Sequence, residues 1–267
     1  MINAAVIRQT LREAFVQPAL LFAIIVEVAF IGLLTFGISL DFENDILVSM
    51  KLFGREIDET LLNTFVSNLI ENMVNLISAL LMFLFIIGSS FLYPYMLRDP
   101  LLGITLTKPI SRTSLFLSKY AGFILFIALS IILFSIAVWF ILFSKSSGHV
   151  SDSVIVASIS FCFEFIIVFS ICSLLAMIIE NASGVALLGI GIYYILGPLM
   201  ANTDNVHNLV ITIISLLLPP IGQLSIITKD IVILGVQSNL TLLVVSFPYV
   251  VVYLAIAIII FNRKDLP

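Results

Sequence analysis

The sequence predicts an all-α integral membrane protein with six transmembrane helices, an N-terminal amphipathic interfacial helix and a re-entrant or outer-leaflet segment before the last helix. The 267 residues are 61% hydrophobic and 10% charged, whereas a soluble domain carries about 25% charged residues. The apolar residues form long unbroken runs of the roughly 20 residues that one spanning helix needs, not the alternating segments of a barrel. The basic residues also collect on one side of these runs, as the positive-inside rule describes.

Residues 1–17 form the predicted interfacial helix. Apolar side chains such as Ile7 and Leu11 recur at three- and four-residue spacing on one face, while Arg8 and Arg12 occupy the other. A helix with this pattern lies in the plane of the membrane interface. A frayed cytosolic tail is the alternative.

Six spans follow within a single transmembrane domain of residues 1–267. By run length they are 18–40, 74–97, 120–143, 154–179, 182–201 and 240–261. The outer loop 41–73 has an amphipathic second half, which is either a short surface helix or an extension of the second span. Only Glu180 and Asn181 separate the fourth and fifth spans, so we expect a very tight turn there.

The apolar run Leu209–Ile227 is not counted as a seventh span. Pro219 and Pro220 interrupt it, and a proline inside a helix removes a hydrogen bond and clashes with the preceding turn. A seventh span would also move the basic C-terminus to the opposite side of the membrane. The sequence therefore predicts that residues 205–238 form a re-entrant or outer-leaflet element.

The basic residues divide unequally between the two sides under this topology. The side that holds both termini carries Arg8, Arg12, Arg98, Lys108, Arg112, Lys119, Arg263 and Lys264. The other side carries Lys51, Arg55, Lys145 and Lys229. Since Lys and Arg are enriched in cytoplasmic loops, we expect a multi-pass cell-membrane protein with cytoplasmic termini. Its surroundings are then the lipid bilayer, and we expect no nucleic-acid partner.

The cytosolic loop 98–119 is built like a braced helix. Asp99 is a favoured cap for a short helix that begins with Pro100 in its first turn. That helix extends to about Thr107, because Pro109 keeps the residue before it out of the helical region. A helix held in this way suits the docking of a cytosolic partner. A positive-inside anchor without a partner is the alternative.

The helix of the third span is expected to begin within this loop, ahead of its apolar run 120–143. Ser111 is a favoured capping residue for it. Arg112 and Lys119 lie two helical turns apart on this span, so both side chains can reach one cytosolic surface.

The stretch "DPLLGITLTKPISRTSLFLSKYAG" resembles the loop after the second helix in permease subunits of the type-2 ABC exporter family. The shared features are an acidic residue, a glycine, a "PISR" motif, a leucine and a lysine, here Asp99, Gly103, 109–112, Leu115 and Lys119. The final "YLAIAIIIFNRKDLP" resembles the family's aromatic–basic–acidic ending. The order of the spans also matches, so the resemblance covers essentially the whole chain.

This resemblance implies both a mechanism and a set of contacts. Two permease subunits, identical or related, pair to form the export pathway, and each docks a separate ATP-binding cassette subunit that binds ATP and Mg. The implied coupling helix and its supports are Asp99, Pro100, Leu101, Leu102, Gly103, Thr105, Thr107, Lys108, Pro109, Ser111, Arg112 and Lys119. The Glu180–Asn181 turn would make a second, minor contact.

Two carboxyl groups fall near the middle of the bilayer, on Glu27 in the first span and Glu164 in the fourth. A central carboxylate costs roughly 2.5–3.5 kcal/mol on insertion scales and usually faces a bundle interior or a wet cavity. Groups such as Ser158, Ser160 and Tyr194 are available to hydrogen-bond to them. We expect at least one carboxyl to line the translocation path or the interface between protomers. A protonated structural carboxyl is the alternative.

Two other functions fit the same residues. An ion-coupled secondary transporter or channel would use Glu27 and Glu164, and a non-transporting membrane anchor would use the cytosolic loop to recruit a protein. The sequence has no phosphate-binding G-x-x-x-x-G-K-[ST] loop and neither H-E-x-x-H nor G-x-S-x-G. We therefore expect no catalytic residue, cofactor or metal site in this chain, and ATP hydrolysis only in a partner subunit.

Overall fold

The computed structural model describes residues 2–43, 46–52, 54–56, 62–98, 111–145, 153–201, 218–234 and 241–264. In chain order the helices are α1 (Ala4–Val16), α2 (Pro18–Gly37), α3 (Leu62–Arg98), α4 (Arg112–Lys145), α5 (Ser153–Ile179), α6 (Ala182–Gly191), α7 (Gly197–Ala201), α8 (Ile221–Leu234) and α9 (Thr241–Arg263). Within the described residues, six helices are long and apolar enough to cross a membrane. This confirms the predicted helical membrane fold.

The candidate spans lie where the apolar runs predict them. They are Pro18–Gly37, Asn75–Leu97, Arg112–Lys145, Val154–Ile179, Ala182–Met200 and Val244–Arg263. The third helix is longer than its apolar run 120–143, because α4 begins at Arg112, directly after the predicted cap Ser111. Its extra turns are apolar enough to pack and, as described below, are bound by α1 and by the C-terminal end of α9.

The helix α3 continues far beyond its membrane-crossing part. It begins at Leu62, so the amphipathic stretch of the outer loop extends the second span and is not a separate surface helix. Pro94 lies within the helix, a placement that membrane helices tolerate where neighbouring helices satisfy the freed backbone groups.

The segment between α2 and α3 contains a small antiparallel sheet that the sequence analysis did not predict. Its strands β1 (Ile38–Glu43), β2 (Ile46–Leu52) and β3 (Arg55–Glu56) pair in that order. The first strand takes up residues 38–40, which shortens the first span so that it ends at Gly37. Gly54 precedes β3 with a φ of 79°, a left-handed conformation that glycine adopts without strain.

The two central helices of the bundle are α3 and α5. In each of them, 61% of an apolar stretch of 18 residues is buried inside the protein, whereas in each of the other four spans 22% of such a stretch is buried. Aromatic rings fill the space that they share with α4. Tyr93 stacks on Phe116 with ring centroids 4.5 Å apart, and Tyr120 stacks on Phe169 at 4.8 Å. The four peripheral spans therefore keep broad apolar surfaces, as a bilayer environment requires.

The fifth span is not a regular helix. A π-helical turn, Ile192–Leu196, joins α6 to α7. Such turns are rare and frequently occur at functional sites. This π turn carries Tyr193 and Tyr194, whose rings meet edge to face with centroids 4.7 Å apart.

The helix α8 is the described part of the predicted re-entrant element; residues 205–217 and 235–238 lie outside the described residues. It begins directly after Pro219 and Pro220, as the two prolines predict. Its first turn packs beside Gly197 on α7, and its buried Ile227 and Ile231 pack with Ala157 near the start of α5. The helix therefore runs beside the first turns of α5 and does not cross the whole bundle.

Gly189 on α6 lies where α3, α5 and α6 meet, and it provides a test of this packing. A Cβ atom on Gly189 would lie 2.9 Å from both Cys172 Sγ on α5 and Ile86 Cγ2 on α3. We expect Gly189→Ala to lower the free energy of unfolding by about 1–3 kcal/mol, because the core would be overpacked. The measurement is thermal unfolding in detergent, monitored by the reaction of Cys172 with a thiol reagent, because this side chain is fully buried in the folded protein.

The matched control lies two residues away. Gly191→Ala would place its Cβ where nothing lies within 4 Å. Since alanine favours a helix over glycine by about 1 kcal/mol, this variant should be as stable as the parent or slightly more stable. Equal stability of the two variants would contradict the described packing.

Candidate functional site

One end of the bundle gathers both termini and most of the described ionic contacts; we call it the charged end. Here α1 lies against the first turns of α4. The backbone N–H of Asn3 donates to Ser118 Oγ at 2.7 Å. Lys119 Nζ lies 2.8 Å from Glu13 Oε2, and the lysine side chain is only 9% exposed. Gln9 also donates to the Glu13 carboxylate, so the amphipathic helix is fixed to the bundle by polar contacts.

Arg112 binds the chain's C-terminal segment at the same end. Its Nη1 donates to the carbonyl oxygen of Lys264 at 2.7 Å and to that of Asn262 at 3.4 Å. Asn262 Nδ2 in turn donates to Thr113 Oγ1 at 3.1 Å. Hydrogen bonds from a guanidinium group to the last carbonyl oxygens of a helix are favourable, because those oxygens carry the negative end of the helix dipole. The first turn of α4 is thereby joined to the end of α9.

The tight turn between α5 and α6 completes the charged end. Lys264 forms an ion pair with Glu180 and donates to the carbonyl oxygen of Met177 at 2.6 Å. Glu180 has a φ of 56°, the left-handed conformation in which many helices end. Asn181 then caps α6 by accepting a hydrogen bond from the backbone N–H of Ser183 at 3.1 Å. The expected tight turn is therefore present and is bound to the C-terminus.

The predicted cap of the third span is also present, since Ser111 Oγ accepts a hydrogen bond from the backbone N–H of Ser114 at 3.2 Å. Arg112 and Lys119 lie at one end of the bundle, as expected, but they face different partners. The remaining residues of the predicted coupling helix lie outside the described residues: Asp99, Pro100, Leu101, Leu102, Gly103, Thr105, Thr107, Lys108 and Pro109.

Glu27 lies at the contact between α2 and α4. Its side chain is 6% exposed, and Ser130 Oγ lies 2.9 Å from each of its two carboxyl oxygens. The hydroxyl donates to the carboxyl group across the helix contact. This arrangement satisfies a polar group that hydrocarbon cannot solvate.

Glu164 lies deeper in the bundle and joins three elements. It is 1% exposed. The Tyr193 hydroxyl on the π turn donates to its Oε1 at 2.8 Å, and Thr228 Oγ1 on α8 lies 3.4 Å from its Oε2. Ser160 hydrogen-bonds with Thr228 at 2.9 Å, so it supports the carboxyl group indirectly. Tyr194, one of the partners suggested by the sequence, donates to the carbonyl oxygen of Ala79 instead.

A cavity of about 120 Å³ adjoins Glu164; we call it the Glu164 cavity. Side chains from α2, α3, α4, α5, the π turn and α8 line it. Apolar groups cover most of its wall, and Glu164, Tyr193 and Thr228 provide a polar patch. A second cavity of about 280 Å³ shares Ser78, Tyr193 and Ser225 with it. Sequence reasoning identified the carboxyl group but missed Tyr193 and Thr228, because no local motif links residues so distant in the chain.

No protein-family model matches this chain, and a search of curated proteins finds no significant match.

The contact between Glu27 and Ser130 yields a stability test. Ser130→Ala removes the only hydroxyl described as donating to this carboxyl group, so we expect a loss of about 1–3 kcal/mol in the free energy of unfolding. Removing both polar groups in Glu27→Met with Ser130→Ala should restore most of this loss, since no buried polar group is then left unsatisfied. Thermal unfolding in detergent provides the measurement. If the double variant is less stable than Ser130→Ala alone, Glu27 has other partners that stabilise the fold.

Proposed function

We propose that this chain is the membrane-spanning permease subunit of an ATP-driven ABC exporter. Two such chains would pair in the bilayer, and each would dock a separate ATP-binding subunit through the cytosolic segment 99–111, which joins α3 to α4. The observation that carries the proposal is the set of contacts that binds the start of α4 to the rest of the charged end. The resemblance of the loop sequence to type-2 exporter permeases supplies the identity of the partner.

The contacts around α4 suit a helix that receives mechanical force. The docking loop would join α4 at Ser111. Within the next two turns Arg112 binds the C-terminal segment and Lys119 binds α1. A displacement of the loop would therefore move α1, α4 and the end of α9 together. A loop that only connected two spans would not need these attachments.

The length of α4 allows such a movement to reach the opposite end of the bundle. Its 34 residues extend about 50 Å at ~1.5 Å per residue. At its far end Lys145 Nζ donates to the carbonyl oxygen of Thr35 on α2, at 2.7 Å. Packed helices shift as units and do not deform continuously. The first span would therefore follow α4, which is how ATP-driven closure of the partner subunits would open an outward pathway.

The apolar surfaces of the peripheral spans are consistent with a second permease copy. In α2 the side chains of Phe22, Ile25 and Val28 are exposed, and in α6 so are those of Leu187 and Leu188. Lipid covers such surfaces in a monomer, and a second chain would cover part of them in a dimer. Van der Waals packing of this kind drives helix association in bilayers.

An ion-coupled secondary transporter is the second candidate, and Glu164 favours it. Ionisable residues at this depth often mark ion paths or proton relays. The two candidates differ in their energy source: the exporter needs ATP and a partner ATPase, whereas the secondary transporter moves cargo in vesicles that contain this chain and an ion gradient only.

A site-directed cross-linking experiment tests the proposed docking. Thr105→Cys places a thiol in the predicted coupling helix, and Ser39→Cys places one at an exposed position of β1, at the other end of α2 from the charged end. We expect Thr105→Cys to react with a membrane-impermeant thiol reagent only from the cytosolic side, and Ser39→Cys only from the outside. A short bifunctional reagent should join Thr105→Cys, and not Ser39→Cys, to a P-loop ATPase in cell membranes, which mass spectrometry identifies.

Three outcomes would overturn this proposal. The first is labelling of Thr105→Cys from the outside, which would reverse the predicted orientation. The second is a cross-linked protein without a nucleotide-binding loop, which would favour a membrane anchor that recruits another partner. The third is equal cross-linking of both variants to the ATPase, because the loop would then have no particular role.

A further inference from the structure

The Glu164 cavity has the features of a ligand site within a single protomer. It extends from Leu142 and Val154, near the end of α4 and the start of α5, to Glu164. Glu164 lies 11 residues after the first residue of α5, which is about 16 Å along the helix. The cavity therefore connects one end of the bundle with its interior. The end at which the cavity begins is opposite to the charged end, where the proposed export mechanism places the docking of the ATP-binding subunit.

The composition of the wall restricts what can bind. Phe30, Phe134 and Phe161 contribute aromatic rings from three different helices. At the inner end, Glu164 contributes the only acidic group among the lining residues. Aromatic rings attract organic cations through their negative faces, and a carboxylate accepts charge-assisted hydrogen bonds from ammonium groups. An apolar body with a single positive charge fits both features.

The polar patch is held in position by secondary structure. Tyr193 is on the π turn, and the Thr228 hydroxyl, 3.4 Å from Glu164 Oε2, is fixed on α8 by the carbonyl oxygen of Leu224 one turn earlier. The carboxyl group is thus supported from both sides by elements that depart from a regular span. π turns are rare in helices and are frequent at functional sites.

The size of the cavity sets the size of the ligand. An engineered apolar cavity of about 150 Å³ holds one benzene molecule, which has six heavy atoms. The Glu164 cavity, at about 120 Å³, is slightly smaller. It therefore suits a molecule of roughly five heavy atoms.

We infer that the Glu164 cavity binds a small organic ammonium ion, with its apolar body against the three phenylalanine rings and its ammonium group donating to Glu164. This inference does not depend on the proposed export function. It concerns one protomer and can be tested with the purified chain alone, without an ATPase subunit.

The test uses n-butylammonium, which has five heavy atoms and one positive charge. Thermal unfolding of the full chain in detergent is monitored by the reaction of the buried Cys172 thiol with a labelling reagent. We expect butylammonium to raise the unfolding midpoint in a saturable manner, because a ligand that binds only the folded state stabilises it. n-Butanol, a neutral molecule of the same size, and sodium chloride at equal ionic strength should not raise it.

Two variants should abolish the effect for different reasons. Glu164→Gln keeps the side-chain volume but removes the charge, so we expect the apparent affinity for butylammonium to fall at least about tenfold. Ser158→Leu keeps the carboxyl group but fills part of the cavity from its wall, and should have the same effect by exclusion. Glu27→Gln is the matched control: it neutralises the other buried carboxyl group, which the cavity does not include, and should bind butylammonium as the parent does.

Several results would overturn the inference. One is the absence of a saturable shift in the parent protein. Another is an equal shift with n-butanol, which would indicate an apolar cavity without charge recognition. An equal shift with sodium chloride would indicate an inorganic cation and would favour the ion-coupled transporter. A shift that persists in both Glu164→Gln and Ser158→Leu would place the binding elsewhere on the protein.

Discussion

Hydrocarbon cannot hydrogen-bond, and the arrangement of most buried polar side chains in the described part of the bundle follows from that constraint. Most serine hydroxyls in the described spans donate a hydrogen bond to a backbone carbonyl oxygen of their own helix, as those of Ser89 and Ser170 do at 2.9 and 2.7 Å. Such bonds satisfy the side chain without linking helices. Ser130 and Tyr193, by contrast, donate across helix contacts to carboxyl groups. The two buried acids therefore act as polar links between helices within the apolar interior.

The same constraint keeps basic groups at the ends of the bundle: Arg112, Lys119 and Lys264 lie at the charged end, and Lys145 lies at the far end of α4. Lys119 is nearly buried, and removing Glu13 would leave its charge uncompensated at the membrane boundary, which is far more costly than the loss of an exposed ion pair. Arg112 and Lys264 use helix-terminal carbonyls in addition to acids. The charged end is consequently a connected structure that joins four helix ends. A cytosolic partner that pushed on the adjoining loop would act on all of them at once, and this connects the packing of the end to the proposed mechanism.

Much of the fold was accessible from the sequence because length and apolarity determine a spanning helix almost directly. The six runs, the tight turn at Glu180 and the break at Pro219 and Pro220 are all local features. The sheet between α2 and α3 was missed because its strands are short and lie in a loop rich in charged residues, where apolar run length carries no information. The π turn was missed for a different reason: Ile192–Leu196 has no sequence signature. The sequence suggested Tyr194 as a partner of a buried acid, whereas in the structure Tyr193 donates to Glu164 and Tyr194 donates to a backbone carbonyl.

Glu27 and Glu164 show that residue type and depth in an apolar run do not predict the role of a buried carboxyl group. Both are glutamates at similar depths in apolar runs, and the sequence gives no reason to separate them. In the structure one lies at a two-helix contact with a single hydroxyl donor, whereas the other meets a π turn, a short helix that begins after two prolines, and a cavity. A carboxyl group that only linked helices would need no cavity beside it, and open space next to a buried acid loses packing contacts that filling would recover. The retention of that space at Glu164, and of two irregular backbone elements around it, favours ligand binding there over a purely structural role.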